Sequence, residues 1–223
     1  LNQKEISCNY ILFINKFKMN EIIDYIQKEI HITYNKNYSK KYVNEKILPI
    51  INYISRNKSK KFLFGGSQGI GKSSFIKIIS KTIEKFYNKK ILLLSLDNYY
   101  LSKKERILLS RKIHKLLITR GVPGTHNFTK LIENINQFKK NKYPINIPIF
   151  DKLIDDKSSY KKKITKKCDI LILEGWCCGS SQITKKYLHR NINKLEKYND
   201  ENYEWRNFYN NKLKIEYKKL FNL

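Results

Sequence analysis

Apolar positions along the chain follow two alternating patterns. Short uninterrupted apolar runs occupy residues 62–64, 91–96 and 170–173, and runs of this length predict buried strands of a parallel sheet. Between the first two runs, apolar residues recur every three or four positions at Phe75, Ile79, Ile83 and Phe86, as they do on one face of a helix. Strands that alternate with helices predict an α/β fold, a parallel sheet covered by helices on both faces.

The flanking segments read mainly as helices. Residues 20–57 predict a helical region in which Pro49 kinks the helix or begins a new segment, so we expect a helical extension over 1–57 before a domain over 58–223. The chain ends in a predicted helix whose apolar residues are spaced by four, at Trp205, Tyr209, Leu213 and Tyr217.

The middle of the chain carries a helix-start signal and an irregular stretch. Ser102 and Glu105 have capping-box spacing and predict a helix whose buried face is Leu109, Ile113 and Leu116. Pro144 and Pro148 bracket an irregular extended stretch. The lysine run at 161–163 predicts a solvated loop.

Charge is the most unusual feature of the composition. Lys and Arg number 46 against 19 Asp and Glu, a net charge of +27 that suggests a nucleic-acid partner. However, 40 of the cations are Lys and 6 are Arg, alongside 33 Ile and 24 Asn, as expected of compositional drift in an A+T-rich genome. Because no basic-helix or RNA-module motif accompanies the charge, we expect no specific nucleic-acid partner, with a basic nucleic-acid-binding protein kept as an alternative.

Cysteine spacing and hydropathy indicate the compartment. Cys8, Cys168, Cys177 and Cys178 contain no C-x-x-C pair, which favours reduced thiols and a cytoplasmic location. No apolar run approaches the roughly 18 residues of a membrane span, so we expect no membrane association.

A phosphate-binding motif follows the first predicted strand. The sequence G-x-x-x-x-G-K-[ST] places backbone N–H groups around a phosphate, a lysine on the β- and γ-phosphates and a hydroxyl on Mg²⁺. The predicted ATP-binding residues are Gly66, Ser67, Gln68, Gly69, Ile70, Gly71, Lys72, Ser73 and Ser74. Lys72 is also a predicted catalytic residue, and the alternative is a glycine-rich turn with an incidental lysine.

Two carboxylates follow the other predicted strands. Asp97 comes directly after the second apolar run and Glu174 directly after the third. The carboxyl ends of parallel strands share one edge of a sheet, so both acids are expected to face the phosphate loop. Phosphoryl transfer to a hydroxyl needs a proton acceptor and groups that hold Mg²⁺, which suits Asp97 and Glu174 respectively. Each could instead be a helix cap or a surface acid.

Several longer motifs resemble the glycerate-kinase-like P-loop kinases, relatives of uridine kinase, phosphoribulokinase and pantothenate kinase. Residues 94–102 (LSLDNYYLS) resemble that family's LSLDDFYLT segment, and residues 120–127 (RGVPGTHN) are similar to its RGVPGTHD loop. Residues 148–152 (PIFDK) and 172–177 (ILEGWC) resemble its P-x-Y-D-K and L-x-E-G-W stretches. The similarity runs from about Lys46 to the end of the chain.

The resemblance implies a P-loop NTPase fold and a set of roles. Asp97 matches the acid that accepts or orients the acceptor hydroxyl, and Ser73 and Glu174 match the groups that place the metal. The matching acceptor-pocket positions are Tyr100, Arg120, His126, Asp151 and Lys152. Arg120 and Lys152 suit an acceptor with a carboxylate, because arginine can bind a carboxylate with two parallel hydrogen bonds. Arg120 and His126 could instead brace the loop itself.

Two departures from the family are visible. Asn98 and Asn127 stand where the family has aspartates. In the family another core strand and an arginine-bearing lid follow the segment that resembles residues 217–221, whereas this sequence stops at Leu223. We therefore expect a C-terminally incomplete kinase domain, either a fragment or a naturally truncated protein.

Taken together, the motifs predict an ATP-dependent small-molecule kinase that uses MgATP, with D-glycerate or a similar small acid as acceptor. A uridine- or pantothenate-type kinase and a nucleotide-binding protein without kinase activity stay open as alternatives. The sequence leaves the oligomeric state open.

Overall fold

The computed structural model of the protein describes the backbone of residues 3–221 and the side chains of residues 18–221. The chain divides into two units, the first made of residues 1–60 and 73–91 and the second of residues 61–72 and 92–223. The boundary expected at residue 57 stays a prediction. Over the described residues, no helix is both long enough and apolar enough to cross a membrane. The side chain of Cys8 lies outside the described residues.

The first unit is helical. It contains α1 (Gln3–Tyr34), α2 (Lys40–Tyr42), a π-helical turn (Val43–Ile47), α3 (Leu48–Arg56) and most of α4 (Lys72–Tyr87). The helix expected over 20–57 is therefore interrupted after Tyr34, because Asn35 adopts a left-handed φ of 51° that ends α1. Pro49 lies in the first turn of α3, where its missing N–H removes no helical hydrogen bond.

The apolar face predicted for α4 is confirmed at its centre. Ile79 and Ile83 are buried, together with Ile76, whereas Phe75 and Phe86, at the two ends of the predicted stripe, are half-buried. The helical periodicity is as expected.

The described part of the second unit contains a parallel sheet and a hairpin. Its strands are β1 (Lys61–Gly65), β2 (Ile91–Ser95, whose first residue belongs to the first unit), β3 (Ile145–Asp151), β4 (Asp156–Ile164) and β5 (Ile170–Gly175). The sheet has the order β1-β5-β2, and β1 pairs with β5 in parallel, with Phe64 opposite Glu174 and Gly65 opposite Gly175. The three strands predicted from apolar runs are confirmed, and every residue of β5 is buried.

An antiparallel hairpin of β3 and β4 was not predicted. Ile145 pairs with Ile164 and Asp151 with Asp156, with an irregularity between Pro148 and Phe150. The lysine run at 161–163 is exposed as expected, but it lies in β4 and not in a loop. The loop prediction is wrong because β4 has no alternating apolar pattern, and its conformation depends on pairing with β3.

The remaining helices of the second unit are α5 (Lys103–Lys112), α6 (Phe128–Lys139), α7 (Lys185–Leu188), α8 (Lys194–Asn199), α9 (Glu204–Lys212) and α10 (Lys218–Phe221). A π-helical turn (Leu213–Tyr217) joins the last two. One core cluster unites β2, β5, α6 and this C-terminal helical segment, through Leu94, Leu131, Ile135, Leu173, Leu213, Tyr217 and Leu220 among others. The helix predicted at the C-terminus is confirmed.

Helix α5 has its predicted start and a different buried face. The Ser102 side chain accepts a hydrogen bond from the Glu105 N–H, and the Glu105 carboxylate accepts one from the Ser102 N–H, so the capping box is confirmed. Leu109, Ile113 and Leu116 are only half-buried, and the predicted buried face is wrong. The fully buried residue of α5 is Arg106, which an aspartate from another segment neutralises.

Candidate active site

The phosphate loop lies between β1 and α4. Gly69 and Gly71 have φ values of 80° and 84°, a left-handed region that glycine adopts without strain. The Lys72 ammonium donates a hydrogen bond to the Ser67 carbonyl at 2.6 Å, which brings the predicted phosphate-binding lysine back over the loop. Ser73 is exposed and Ser74 half-buried, and both lie in the first turn of α4. The conformation is one in which loop N–H groups can surround an anion.

A close backbone contact lies at the carboxyl end of β1. A Cβ atom added to Gly65 would lie 1.9 Å from the Cys178 carbonyl oxygen, so only glycine fits there. The segment that follows β5 thereby passes directly against the strand that leads into the phosphate loop.

The charges of the three predicted catalytic residues all influence the thiol of Cys178. Burial raises the pKa of Cys178, and the neighbouring Cys177, the Glu174 carboxylate and Asp97 raise it further, while the Lys72 ammonium lowers it. The charges of Lys72, Asp97 and Glu174 therefore all influence this thiol. Glu174 lies in β5 and Asp97 directly follows β2, its neighbour in the sheet, and the expectation that both acids face the phosphate loop stays a prediction.

Asp97 lies in the 3-10 turn Leu96–Tyr99 directly after β2. Its Oδ2 accepts a hydrogen bond from the Lys152 ammonium at 2.7 Å, and its Oδ1 accepts one from the Tyr100 hydroxyl at 3.2 Å. Burial, followed by the Asp97 charge, raises the pKa of Tyr100, so its hydroxyl keeps its proton and donates. Asp97 is thus held from two sides while a third of its side chain stays exposed, at 33%.

His126 packs behind this pair and is almost fully buried. Its ring stacks on Tyr100 with centroids 4.4 Å apart, and its Nδ1 lies 2.6 Å from the Tyr217 hydroxyl. Residues 100 and 126 also form an isolated antiparallel bridge. Burial lowers the pKa of His126 to about 3, although Asp97 opposes this shift. These contacts favour the alternative considered from the sequence, in which His126 braces the loop of residues 120–127.

Arg120 forms an ion pair with Asp155, which Arg106 also binds. Both guanidinium carbons lie 5.6 Å from the centroid of the Phe150 ring, and that ring makes a T-shaped contact with Tyr100. Asp151 accepts a hydrogen bond from the Leu153 N–H and shapes the turn between β3 and β4. The hairpin turn therefore places Lys152 on Asp97 and Asp155 on the two arginines.

No family model matches the chain, but individual proteins are similar to it. The chain is 36% identical over 141 residues to "Probable ATP-dependent kinase TDA10" of Saccharomyces cerevisiae, covering 57% of this chain and 49% of that protein. It is 28% identical over 117 residues to a pantothenate kinase of Bacillus velezensis, covering 51% of this chain and 35% of the relative.

Solved structures extend the similarity to the fold. The YGR205w protein has a TM-score of 0.55 and 28% identity, covering 78% of this chain and 63% of that one. The chain is a relative of P-loop kinases. D-glycerate 3-kinase from Cryptococcus neoformans has a TM-score of 0.56 with 20% identity, over 88% of this chain and 66% of that one, and shows the shared fold alone. The predicted P-loop NTPase α/β fold is confirmed.

This P-loop kinase relative spans about half the length of the yeast protein and about a third of the pantothenate kinase. Residue roles taken from the whole enzymes therefore remain proposals for this chain. The resemblance noted in the sequence is confirmed at the level of P-loop kinases.

The donor atoms available suit Mg²⁺. Within the described residues, no cluster of three or more His, Cys, Asp or Glu side chains could hold a metal ion. Mg²⁺ in kinases needs fewer protein ligands, because it keeps several waters and binds substrate phosphates through one or two protein oxygens. The Glu174 carboxylate at the end of β5 and the Ser73 hydroxyl are oxygen donors of this kind. The assignment of Ser73 and Glu174 as metal ligands stays a prediction.

Sequence reasoning missed Arg106 and Asp155. Arg106 looked like one more cation on an amphipathic helix, and Asp155 lay in a stretch without a motif. The scarcity of arginine was a usable signal, since a chain with 40 Lys has only 6 Arg. Arg106, Arg120 and Arg206 all form ion pairs in which the planar, forked guanidinium geometry matters.

Proposed function

We propose that the protein is an ATP-dependent kinase that transfers the γ-phosphoryl group of MgATP to a hydroxyl of a small acceptor, with D-glycerate as the first candidate. One observation carries the proposal. The phosphate loop follows β1, Glu174 lies in β5 and Asp97 follows β2, and these strands are neighbours in the sheet, which favours a phosphate-binding lysine, a metal-binding carboxylate and a carboxylate base at one edge. The resemblance of residues 94–102 and 120–127 to glycerate-kinase-like enzymes supports the acceptor.

Each residue has a defined task in this reaction. The loop N–H groups and the Lys72 ammonium stabilise the negative charge of the migrating phosphoryl group. Bound Mg²⁺ supplies charge neutralisation on the phosphates, and Ser73 and Glu174 are the residues that would hold it. Asp97 accepts the proton of the acceptor hydroxyl, and the hydrogen bonds from Lys152 and Tyr100 keep its carboxylate aimed.

A coupled ADP-release assay over an acceptor panel tests the proposal. The panel contains D-glycerate, glycerol, pantothenate, uridine and water alone, and the proteins are wild type, Asp97→Asn and Lys72→Ala. We expect one acceptor to stimulate turnover in the wild type and both variants to lose at least about a hundredfold in kcat/KM. Equal turnover in all three proteins would refute the assignment.

Matched controls separate chemistry from general damage. Asp156→Asn removes a carboxylate whose Oδ1 accepts hydrogen bonds from two backbone N–H groups, and Lys77→Ala removes an exposed lysine of α4. Both are expected to keep wild-type turnover.

The pantothenate kinases among the curated relatives favour pantothenate as a second acceptor. Stimulation by pantothenate and not by D-glycerate would select that reaction. Calorimetric binding of MgATP with no stimulation by any acceptor would instead identify a nucleotide-binding protein without transferase activity.

A further inference from the structure

Arg106 and Asp155 form a forked ion pair beside the Asp97 site. Arg106 Nη1 donates to Asp155 Oδ1 at 3.2 Å and Nη2 donates to Oδ2 at 2.8 Å, while Nη2 also donates to the Asp155 carbonyl at 2.7 Å. The Arg106 side chain is fully buried, with 0% exposure. Because the fork uses both carboxylate oxygens, Arg106 alone already neutralises and holds Asp155.

Arg120 is the second cation on the same carboxylate. Its Nη1 donates to Asp155 Oδ1, and among the described residues this is its sole hydrogen bond. A guanidinium has five N–H donors in a fixed fork, so the other donors of Arg120 remain available. The side chain is 31% exposed and can be reached from solvent. One N–H group of Arg120 is thus bound to Asp155, and its other N–H groups are available to a ligand.

Two cations compete for the Asp155 carboxylate. Two guanidinium groups share one carboxylate, and the nearby Lys157 is already paired with Glu105. Phe150 lies against both guanidinium groups and makes a T-shaped contact with Tyr100, which donates to Asp97. Arg120 is therefore linked through one aromatic ring to the Tyr100–Asp97 pair.

We infer that Arg120 binds the negatively charged group of an anionic acceptor, a carboxylate in the case of D-glycerate, and that Asp155 and Arg106 are positioning residues that hold its guanidinium in place. The inference deepens the proposed function and rests on it for the role of the bound anion. Because Asp155 already holds the Arg120 guanidinium, less side-chain freedom is lost when the acceptor binds. A cluster that serves only to anchor the β3–β4 turn would show no preference for charged over neutral acceptors.

The test is an NMR titration of the free protein with D-glycerate and with glycerol, without nucleotide, so that it does not depend on phosphoryl transfer. The variants are Arg120→Met, Arg120→Lys and the double variant Arg106→Met with Asp155→Asn. The double variant removes both charges of the fork, so no buried charge is left unpaired, and asparagine tolerates the left-handed φ of 53° at position 155. Asp156→Asn is the matched control on the same turn.

We expect the wild type to bind D-glycerate at least about tenfold more tightly than glycerol, the effect of one charge-assisted hydrogen bond. Arg120→Met and the double variant should reduce D-glycerate affinity to near that of glycerol, Arg120→Lys should fall between, and Asp156→Asn should match the wild type. Lack of D-glycerate binding by the wild type, or equal binding of both ligands, would overturn the inference.

A double variant with a native spectrum and D-glycerate affinity within about twofold of the wild type would overturn the positioning role of Asp155 and Arg106. If D-glycerate binds as expected while the kinase assay detects no transfer, the inference holds and the proposed reaction fails. The two outcomes are thereby distinguishable.

Discussion

The Lys152 ammonium lies 2.7 Å from the Asp97 carboxylate, although 55 positions separate the two residues in the sequence. The contact joins the turn after β2 to the turn of the β3–β4 hairpin. Lys152 is more than half exposed, so the ion pair contributes little to stability, about 0–1 kcal/mol. We expect this ion pair instead to fix the orientation of the Asp97 carboxylate.

Lys152→Met should therefore lower kcat for phosphoryl transfer by about tenfold while the free energy of unfolding changes by less than about 1 kcal/mol. Only the Tyr100 hydroxyl would then hold Asp97. Steady-state kinetics and urea unfolding measure the two effects, and Lys161→Met, at an exposed position of β4, is the control. A large loss of stability with unchanged kcat would contradict this role.

His126 should make the protein sensitive to acid. Its pKa is about 3 in the folded protein, against 6.5 for an unperturbed histidine, because burial disfavours the charged ring. Between these values the unfolded chain binds a proton that the folded chain does not, so stability falls as pH falls. From pH 6.5 to pH 5 this contributes a loss of about 2 kcal/mol.

The measurement is thermal or urea unfolding as a function of pH. His126→Asn should be less stable at neutral pH, because the stack on Tyr100 is lost, but its stability should depend less on pH between 6.5 and 5. His31→Asn, at an exposed position of α1, should keep the wild-type dependence. An unchanged slope for His126→Asn would show that other groups control the acid response.

Asp200 and Arg206 form a buried ion pair, with 2% exposure for each residue. Asp200 Oδ2 accepts hydrogen bonds from Arg206 Nε at 2.8 Å and from the Arg206 N–H at 3.1 Å. Asp200→Ala would leave the guanidinium buried with only the more distant Glu196 carboxylate, at 3.6 Å, as a counter-charge. We expect a loss of about 3 kcal/mol or more in the free energy of unfolding.

Urea unfolding measures this loss. Asp24→Ala removes the carboxylate of an exposed ion pair with Lys40 and should cost less than about 1 kcal/mol. Similar values for the two variants would mean that the Asp200–Arg206 pair does not stabilise the C-terminal helical segment.

Gly65→Ala should disturb the phosphate loop through its strand. The new Cβ would collide with the Cys178 backbone carbonyl, which cannot move aside as a flexible side chain can. We expect a loss of about 1–3 kcal/mol in stability and a weaker affinity for MgATP, measured by unfolding and by calorimetry. Lys77→Ala, at an exposed position of α4, should change both less. Normal MgATP affinity in Gly65→Ala would show that the loop does not depend on this contact.

Local patterns were sufficient for the elements that carry the chemistry. Three buried strands, the phosphate loop and the capping box at Ser102 are each encoded within a few consecutive residues. Asp97 and Glu174 could be placed at one sheet edge from the general rule that the carboxyl ends of parallel strands lie together.

Contacts between residues far apart in the sequence decided the features that local patterns did not predict. The β3–β4 hairpin was missed because the exposed strand β4 carries serines and lysines with no apolar alternation. Arg106 was not singled out because its burial depends on Asp155, 49 residues later in the chain. A single charged residue on a helix reads as exposed until its counter-charge is known.

By itself, the sequence determined the three strands of the parallel sheet, the phosphate loop and the identity of the groups that could act on a phosphate. These features depend on residue type and short spacing, which a linear chain displays directly. Only the tertiary structure decided which side chains hold Asp97, why Arg120 keeps an open edge and why His126 is neutral. Those properties arise from burial and from charges brought together across tens of residues, because desolvation and Coulomb interactions depend on distance in space and not on distance along the chain.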